Sequence, residues 1–397
     1  MTQTSPATSA PAAPSTWQVL PAPVPDALDH PDAWALHGAE VVSREVDVDT
    51  YGHEDLAFTA QYLWARLQEQ EYARRLRLVA VPTGITHPTA ADVVGSASVV
   101  LPRHSNQHVA HVSVTVRPSA RRRGAGTALL LAAEELALAD RRTTVILESE
   151  HGSEPAPDRP GVLEPASGAG RIAADDPGAA LCLRHGYALE QAARYSVLDL
   201  PVAPDRLPAL HDAAAARAGE DYRLVSWQDH APDRWVDGWA HLETRMSTDE
   251  PQAGLDLEED PWDAARLRRY EADIAASGHG YLLVAAEHVH SGALAGFTMV
   301  QFQLDRPGPV FQEDTIVVAE HRGHRLGMLM KTDLLRRLPA VRPGAGRVHT
   351  WNAEENAFML GINVALGFRP AGVAGEWQKR LGSAPGGARA AAPSSAR

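Results

Sequence analysis

The stretch Val114-Thr-Val-Arg-Pro-Ser-Ala-Arg-Arg-Arg-Gly-Ala-Gly-Thr127 joins a valine-rich segment to a helical one. The segment before it is typical of a buried strand, and residues 124–140 are rich in Ala, Leu and Glu, which favour a helix. The first amide N–H groups of a helix have no partner inside the helix, and the helix dipole adds positive potential there. Glycines let an anion approach the backbone without a Cβ in the way. The stretch therefore predicts a turn that binds a phosphate or diphosphate group.

A second stretch with the same layout lies in the other half of the 397-residue chain, Ile316-Val-Val-Ala-Glu-His-Arg-Gly-His-Arg-Leu-Gly327. When the two copies are aligned without gaps, Arg322 falls on Arg121, and Arg325 stands where the first copy has its central glycine. No Gly-Lys-Ser/Thr follows either copy, which argues against a nucleoside triphosphate loop. The repeat indicates a duplication at the scale of a domain.

Both halves predict the same order of elements, which is a strand, two helices, three strands, a helix, a strand, a helix and a final strand or strand pair. In the first half the predicted strands are 40–48, 76–81, 92–101, 109–116, 143–149 and 187–200, and the helices are 53–75, 124–140 and 179–185. In the second half the strands are 222–227, 280–287, 293–303, 310–318, 347–351 and 368–380, and the helices are 232–245, 261–277, 324–338 and 353–366. Residues 151–177 are predicted to be a mobile insertion, 201–219 a linker, and 1–36 and 382–397 disordered tails.

The two loops resemble the acyl-CoA loop of the GNAT acyltransferases, whose pattern is Arg/Gln-x-x-Gly-x-Gly/Ala. The first loop matches this pattern at Arg121, Gly124 and Gly126. The second loop departs from it at Arg325, whose side chain either crowds the diphosphate or adds a cationic contact.

A second resemblance to this family is a helix that ends in a Gly-Tyr or Gly-Phe step, found here at Gly186-Tyr187 and Gly367-Phe368. The resemblance extends from about residue 41 to residue 381. It implies an α/β (α+β) fold of two tandem GNAT domains, 37–200 and 220–381. Each domain would have a mixed, mostly antiparallel sheet of six or seven strands, flanked by helices, with splayed fourth and fifth strands.

The resemblance implies acetyl-CoA as the donor substrate and no metal. The two loops would hold its diphosphate, an amide at Val116 or Val317 would polarise the thioester carbonyl, and Asn356 would help to hold the pantetheine arm. Asn352 is a predicted helix N-cap, with Glu355 as its capping-box partner. The predicted donor-binding residues are Val116, Arg121, Arg122, Arg123, Gly124, Ala125, Gly126, Thr127, Val317, Val318, Arg322, Gly323, His324, Arg325, Leu326, Gly327, Asn352 and Asn356.

The predicted catalytic residues are Glu313, Asp314 and Asn356. Acetyl transfer to an amine needs a base for the amine and an acid for the thiolate. Strand alternation puts the carboxylates of Glu313 and Asp314 on opposite faces, so at most one of them points at the acceptor. In the first half, His108 and His111 occupy the corresponding stretch, and each is either a base or a surface histidine.

The acid is left open by the sequence. Many GNAT enzymes use a Tyr four residues before the glycine of the helix-ending step, where this chain has Cys182 and Asn363. Asparagine is not an acid at neutral pH, and a small buried cysteine is typical of a core position. Direct protonation of the thiolate and a relay through water both remain open.

The chain is acidic, with a net charge of −13, which argues against nucleic acid as its main partner. No apolar run of about 18 residues is present, and the N-terminus lacks the regions of a signal peptide, so we expect a cytoplasmic protein without a membrane partner. The expected partner is a small-molecule amine, and an acidic loop at residues 249–260 suits a cationic one. A monomer and a homodimer are both compatible with the sequence.

The sequence thus predicts an N-acetyltransferase that moves an acetyl group from acetyl-CoA to a primary amine of a small molecule, with one domain dominant. The first half has the intact loop and the second the richer set of acceptor candidates, which slightly favours the C-terminal domain as the active one. The alternative is a catalytically degenerate acyl-CoA-binding or regulatory protein, favoured by Arg325 and by the missing tyrosines.

Overall fold

The computed structural model describes residues 16–382, so the parts of the predicted tails at residues 1–15 and 383–397 lie outside the described residues. The α-helices are α1 (Trp34–Tyr51), α2 (Ala60–Gln68), α3 (Ala125–Ala139), α4 (Pro177–Arg184), α5 (Arg206–Ala218), α6 (Asp233–Asp249), α7 (Ala264–Ala276), α8 (Leu326–Val341) and α9 (Ala357–Leu366). The strands are β1 (Trp17–Pro21), β2 (Ala73–Pro82), β3 (Gly95–Pro102), β4 (Val109–Val116), β5 (Thr144–His151), β6 (Val162–Leu163), β7 (Ile172–Ala173), β8 (Ala188–Asp199), β9 (Tyr222–Gln228), β10 (His279–His288), β11 (Leu294–Gln303), β12 (Pro309–Val317), β13 (Arg347–Ala353) and β14 (Arg369–Arg380).

The main sheet is continuous through both halves and has 12 strands in the order β1-β2-β3-β4-β5-β14-β8-β13-β12-β11-β10-β9. Neighbouring strands run antiparallel except at β4–β5 and β12–β13, which are parallel pairs. The predicted mixed, mostly antiparallel sheet flanked by helices is therefore confirmed.

The last strands of the two halves are exchanged. β14, from the end of the chain, lies between β5 and β8, and β8 pairs on its other side with β13. Trp377 of β14 is fully buried in the core of the first half, whereas Leu198 of β8 belongs to the core of the second. The sheets of the two halves are therefore joined into one, with six strands for each half, because each core takes a strand from the other half.

The fourth and fifth strands part in both halves, as the resemblance implies. β4 and β5 pair from Val109–Thr144 to Ser113–Glu148 and then separate. β12 and β13 pair only from Pro309–Arg347 to Phe311–His349. These two gaps are the places where a ligand can enter the sheet.

Several local predictions are wrong. Residues 40–48 belong to α1 and are not a strand, because Ala35, Ala39 and Val42 are buried at helical spacing. The predicted N-terminal tail contains β1, which pairs with β2, and the predicted linker contains α5, which packs on α8. Residues 151–177 include the β6–β7 pair, in which Ile172 is buried. Their mobility stays a prediction.

Within residues 16–382, no helix has both the length and the apolar character needed to cross a membrane.

Candidate functional site

The first half has a cleft of about 770 Å³ at the gap between β4 and β5. Its floor is formed by residues 113–116 and 147–152 of the parting strands, and the starts of α3 and α4 complete it. A volume of this size lies within the range of about 300–1,000 Å³ that is usual for ligand sites. The cleft also reaches the predicted anion loop, since Gly124, Gly126 and Thr127 line it.

The loop geometry explains its glycines. Gly124 precedes the first residue of α3 with a φ of +90°, in the left-handed region that favours glycine. The amides of residues 124–127 have no acceptor in the described part of the chain, as expected for the first turn of a helix. Three of these residues, Gly124, Gly126 and Thr127, line the cleft, so the start of α3 is suited to an anion.

The predicted ligand Arg121 has a bracing role. Its Nε donates to the carbonyl oxygen of Val116 at 3.2 Å, and its Nη1 pairs with Asp49 of α1 at 2.6 Å. Arg322 repeats this arrangement with Val317 and Asp249, at 2.9 and 2.7 Å. Both arginines therefore tie the end of a strand to a neighbouring helix, and the amides that follow are the groups left for a ligand.

The second half has a much smaller cavity, of about 170 Å³. The predicted residues Glu313, Asp314, Asn352 and Asn356 all line it, whereas none of residues 322–327 does. Arg325 adopts the left-handed conformation of the first copy's central glycine, with a φ of +57°, and its side chain is exposed. The structure thus brings the predicted catalytic residues together, but it does not bring them to the loop.

The helix after β13 begins later than predicted. Its N-cap is Asn356, whose side-chain oxygen accepts from the amide of Met359 at 3.2 Å. Asn352 lies within β13 and accepts from Nδ2 of Asn363 at 2.7 Å. The predicted capping box at Asn352 and Glu355 is therefore wrong, because the strand extends to Ala353.

A buried lysine narrows the cavity of the second half. Lys331 of α8 is 1% exposed, and its Nζ donates to Oδ1 of Asn363 at 2.9 Å. Burial lowers the pKa of Lys331 to about 7. Asn363, at the position where many relatives carry a tyrosine, thus holds this amine in place.

Four carboxyls, Glu148, Glu150, Glu250 and Glu376, form an acidic wall that joins the two halves. Glu148 and Glu150 line the cleft, and Glu250 lines the cavity of the second half. Glu250 belongs to the predicted acidic loop, whereas the other three were not predicted. Glu148 and Glu150 project from one face of β5, and Glu376 of β14 lies directly opposite Glu148. Like charges in this position repel each other. Desolvation by burial, and then repulsion from Glu148 and Glu250, raises the pKa of Glu376 to about 8.

The other wall carboxyls behave in the same way. Desolvation, followed by repulsion from Glu148, raises the pKa of Glu150 to about 8. Desolvation and then Asp314 raise the pKa of Glu250 to about 7. The wall therefore connects the cleft of the first half with Asp314 in the cavity of the second, and a cation would be attracted to either end.

The raised pKa values predict how stability depends on pH. A carboxyl with a raised pKa binds more protons in the folded than in the unfolded state, so it lowers the free energy of unfolding as pH rises from about 4.5 towards 8. We expect Glu376→Gln to flatten this decline, by less than about 1.4 kcal/mol per pH unit for one proton. Urea unfolding of the wild type and of Glu376→Gln at pH 5.5 to 8.5 measures the free energy of unfolding. Parallel curves of that free energy against pH would contradict the shared desolvation of the wall.

Comparison with known proteins agrees with this geometry. Residues 48–157 match the model of the acetyltransferase (GNAT) family. No curated protein matches the chain in sequence. The chain contains a GNAT acetyltransferase domain and has the fold of tandem GNAT proteins.

The solved structures that it resembles include a tandem GNAT protein from the clavulanic acid biosynthesis pathway, determined without AcCoA. That protein is 26% identical with a TM-score of 0.69, and the match covers 93% of this chain and 99% of that one. A GCN5-related N-acetyltransferase from Sphaerobacter thermophilus is 16% identical with a TM-score of 0.54, over 92% and 96% of the two chains. A glucosamine N-acetyltransferase region of a fungal multi-domain β-N-acetylglucosaminidase is 14% identical with a TM-score of 0.55, over 93% and 38%. At these identities the last two indicate the fold alone.

The residues at the end of β5 were not predicted as part of the site. The run Glu148-Ser-Glu-His151 follows the apolar residues 145–147 on the same strand, and all four residues line the cleft. A polar run that ends a buried strand was the available signal. His108 and His111 do not line the cleft, and His108 contacts Asp256 of the second half instead.

Proposed function

We propose that this protein is an N-acetyltransferase that transfers the acetyl group of acetyl-CoA to a primary amine of a small molecule, with the donor in the cleft of the first half. The observation that carries the proposal is that Gly124, Gly126 and Thr127, whose amides have no acceptor among residues 16–382, line a cleft of about 770 Å³ between parted strands. In the second half the matching loop does not border the cavity. We therefore place the active site in the first half, although the sequence slightly favoured the second.

The residues of the cleft fit such a donor. The amides at the start of α3 would bind the diphosphate, with the helix dipole adding to the attraction. The pantetheine arm would follow the backbone of β4 along the gap, where the edge of the strand no longer pairs with β5. An amide near Val116 would polarise the thioester carbonyl, which is the role of an oxyanion-hole donor.

The acidic wall would bind and deprotonate the acceptor. Glu148 and Glu150 of β5 both line the cleft. Glu148 is the last residue of β5 that pairs with β4, and Glu150 lies two residues beyond it. A general base works best when its pKa lies near the working pH, and the pKa of Glu150 is raised to about 8. A cationic amine can give up its proton to such a carboxylate and remain attracted to the other charges of the wall.

The second half would not catalyse acetyl transfer. Its cavity of about 170 Å³ is close to the roughly 150 Å³ of an engineered cavity that takes a single benzene. Lys331 and Asn363 occupy the region behind the gap. We propose that this half supports the fold and extends the acidic wall.

Turnover on a panel of amines tests the function. Full-length protein and acetyl-CoA are mixed with 1-aminobutane, 4-aminobutanoate, 1,4-diaminobutane or spermidine, and the released thiol is measured. We expect the rate to rise with the positive charge of the amine and to be lowest for 4-aminobutanoate. If acetyl-CoA binds and no amine in a broader panel is acetylated, the protein is an acyl-CoA-binding regulator instead.

A further inference from the structure

Three polar side chains form a hydrogen-bonded chain beside the cleft, and two of them lie on the face of β5 opposite to Glu148 and Glu150. Oγ of Ser149 lies 2.8 Å from Nε2 of His151, and Nδ1 of His151 lies 2.7 Å from Oδ2 of Asp176. All three residues line the cleft. The order is that of a hydroxyl, an imidazole and a carboxylate that orients the imidazole.

The surroundings of this chain hold it in place. Ser149 is 6% exposed, and the side chain of His151 is 1% exposed. Asp176 precedes α4 at the N-cap position, yet its carboxylate makes no capping bond and binds His151 instead. A Cβ added at Gly178, two residues further on, would lie 3.0 Å from Cβ of Ser149. The glycine therefore makes room for the serine.

The hydrogen bond from the indole of Trp377 restricts which further hydrogen bonds the hydroxyl of Ser149 can make. Its Nε1–H donates to Oγ of Ser149 at 2.7 Å, and an indole nitrogen can only donate. When His151 is neutral, its Nε2 accepts the proton of the hydroxyl. When His151 is protonated, Oγ accepts from both Trp377 and His151, both of its lone pairs are used, and its own proton is free for an acceptor in the cleft.

We infer that Ser149, His151 and Asp176 form a proton relay that protonates the sulfur leaving group during acetyl transfer. This inference rests on the proposed function. It supplies the acid that neither expected tyrosine position provides, since Cys182 is fully buried in the core. The carboxylate of Asp176 fixes the orientation of the imidazole through its bond to Nδ1 of His151.

The relay balances the protons of the reaction. As the carbon–sulfur bond breaks, its electron pair stays on sulfur, and sulfur takes the proton of Ser149. Oγ in turn takes a proton from Nε2 of His151, which becomes neutral. Before this, the ammonium group has given one proton to a carboxylate of the acidic wall, and its nitrogen has formed the bond to the acetyl carbon. The second nitrogen proton passes to solvent as the amide forms. His151 regains one from solvent beside Asp176, whose side chain is 38% exposed.

The second half lacks this relay. The parallel ladder begins at Thr144 in β5 and at Arg347 in β13, so Asn352 and Glu354 occupy the positions of Ser149 and His151. Asn352 bonds Asn363, and Glu354 pairs with Arg194 at 2.7 Å. Neither can pass a proton from an imidazole to a hydroxyl.

The thiol pKa of bound CoA tests the relay without any acceptor. Full-length protein is saturated with CoA, and thiolate formation is followed by ultraviolet absorbance against pH. A donor to the thiolate favours that form, so we expect the acid dissociation constant of the bound thiol to fall at least tenfold in Ser149→Ala and in His151→Asn. Ser149→Thr, which keeps the hydroxyl, should restore it in part, and Cys182→Ala should match the wild type.

The outcomes are distinguishable. Equal thiol pKa values in the wild type and Ser149→Ala, with both proteins folded and saturated, would overturn the relay and leave the proposed function standing. A wild type that does not bind CoA would remove the proposed function and the relay with it.

Discussion

Gly126→Asp is expected to lower the affinity for acetyl-CoA by a factor on the order of 10³. The substitution puts a carboxylate at the start of α3, where the diphosphate would bind. Two like charges about 4 Å apart near a protein surface repel by about 4 kcal/mol, which corresponds to roughly that factor. Isothermal titration calorimetry with acetyl-CoA measures the loss.

The variant should still fold. A Cβ at Gly126 would lie 3.5 Å from Cδ2 of Leu181 and 3.6 Å from Cγ2 of Val116, which are ordinary contacts. Gly126→Ala, the control for size without charge, should therefore bind within a few-fold of the wild type. Gly327→Asp is the matched control in the second loop, where Cδ1 of Ile362 at 3.2 Å can move aside. A large loss of acetyl-CoA affinity in Gly327→Asp with none in Gly126→Asp would place the donor in the second half and contradict the proposal.

Trp377→Ala is expected to lower the free energy of unfolding by about 3–5 kcal/mol, the usual range for deleting a fully buried large aromatic side chain. Trp377 is fully buried against the core of the first half, although it belongs to the last strand of the second. Because β14 connects the two cores, we expect a single unfolding transition that moves as a whole. Urea unfolding followed by circular dichroism measures both quantities.

An exposed aromatic provides the control for that loss. Phe358→Ala removes a side chain that is 91% exposed and should change stability by no more than about 0.5 kcal/mol. Trp377→Ala could instead unfold in two transitions, one of them at the wild-type midpoint. The second half would then fold independently of the packing of β14 in the first core, which would contradict the shared core.

The anion loop was the most predictable part of the site. Its identity follows from local chemistry, since a strand, glycines and a helix start are all read from adjacent residues. The same locality explains why the ion pair of Arg121 was not predicted, although Arg121 lines the cleft. Its true partner, Asp49, lies 72 residues earlier in the chain, and only the packing of α1 brings the two together.

The exchange of β8 and β14 could not be predicted from their sequences. Both strands would show the same apolar pattern whichever core they joined, because the pattern records which face is buried and not which neighbour buries it. The acidic wall depends on this exchange, since Glu376 meets Glu148 only when β14 lies beside β5. The relay depends on it too, through the bond from Trp377 to Ser149.

The sequence showed only part of the difference between the two halves. Arg325 marked the second loop as unusual, but the structure places its side chain in solvent. The decisive difference is the space beside the parted strands, about 770 Å³ against about 170 Å³. The volume of that space depends on the positions of the Lys331 and Asn363 side chains, which a sequence motif does not predict.

Native mass spectrometry of the full-length protein titrated with acetyl-CoA tests the central claim most directly, because it counts bound donors per chain. We predict a single mass increment of one acetyl-CoA that saturates and disappears in Gly126→Asp. Two increments per chain, or none at saturating donor, would contradict a single donor site at the start of α3.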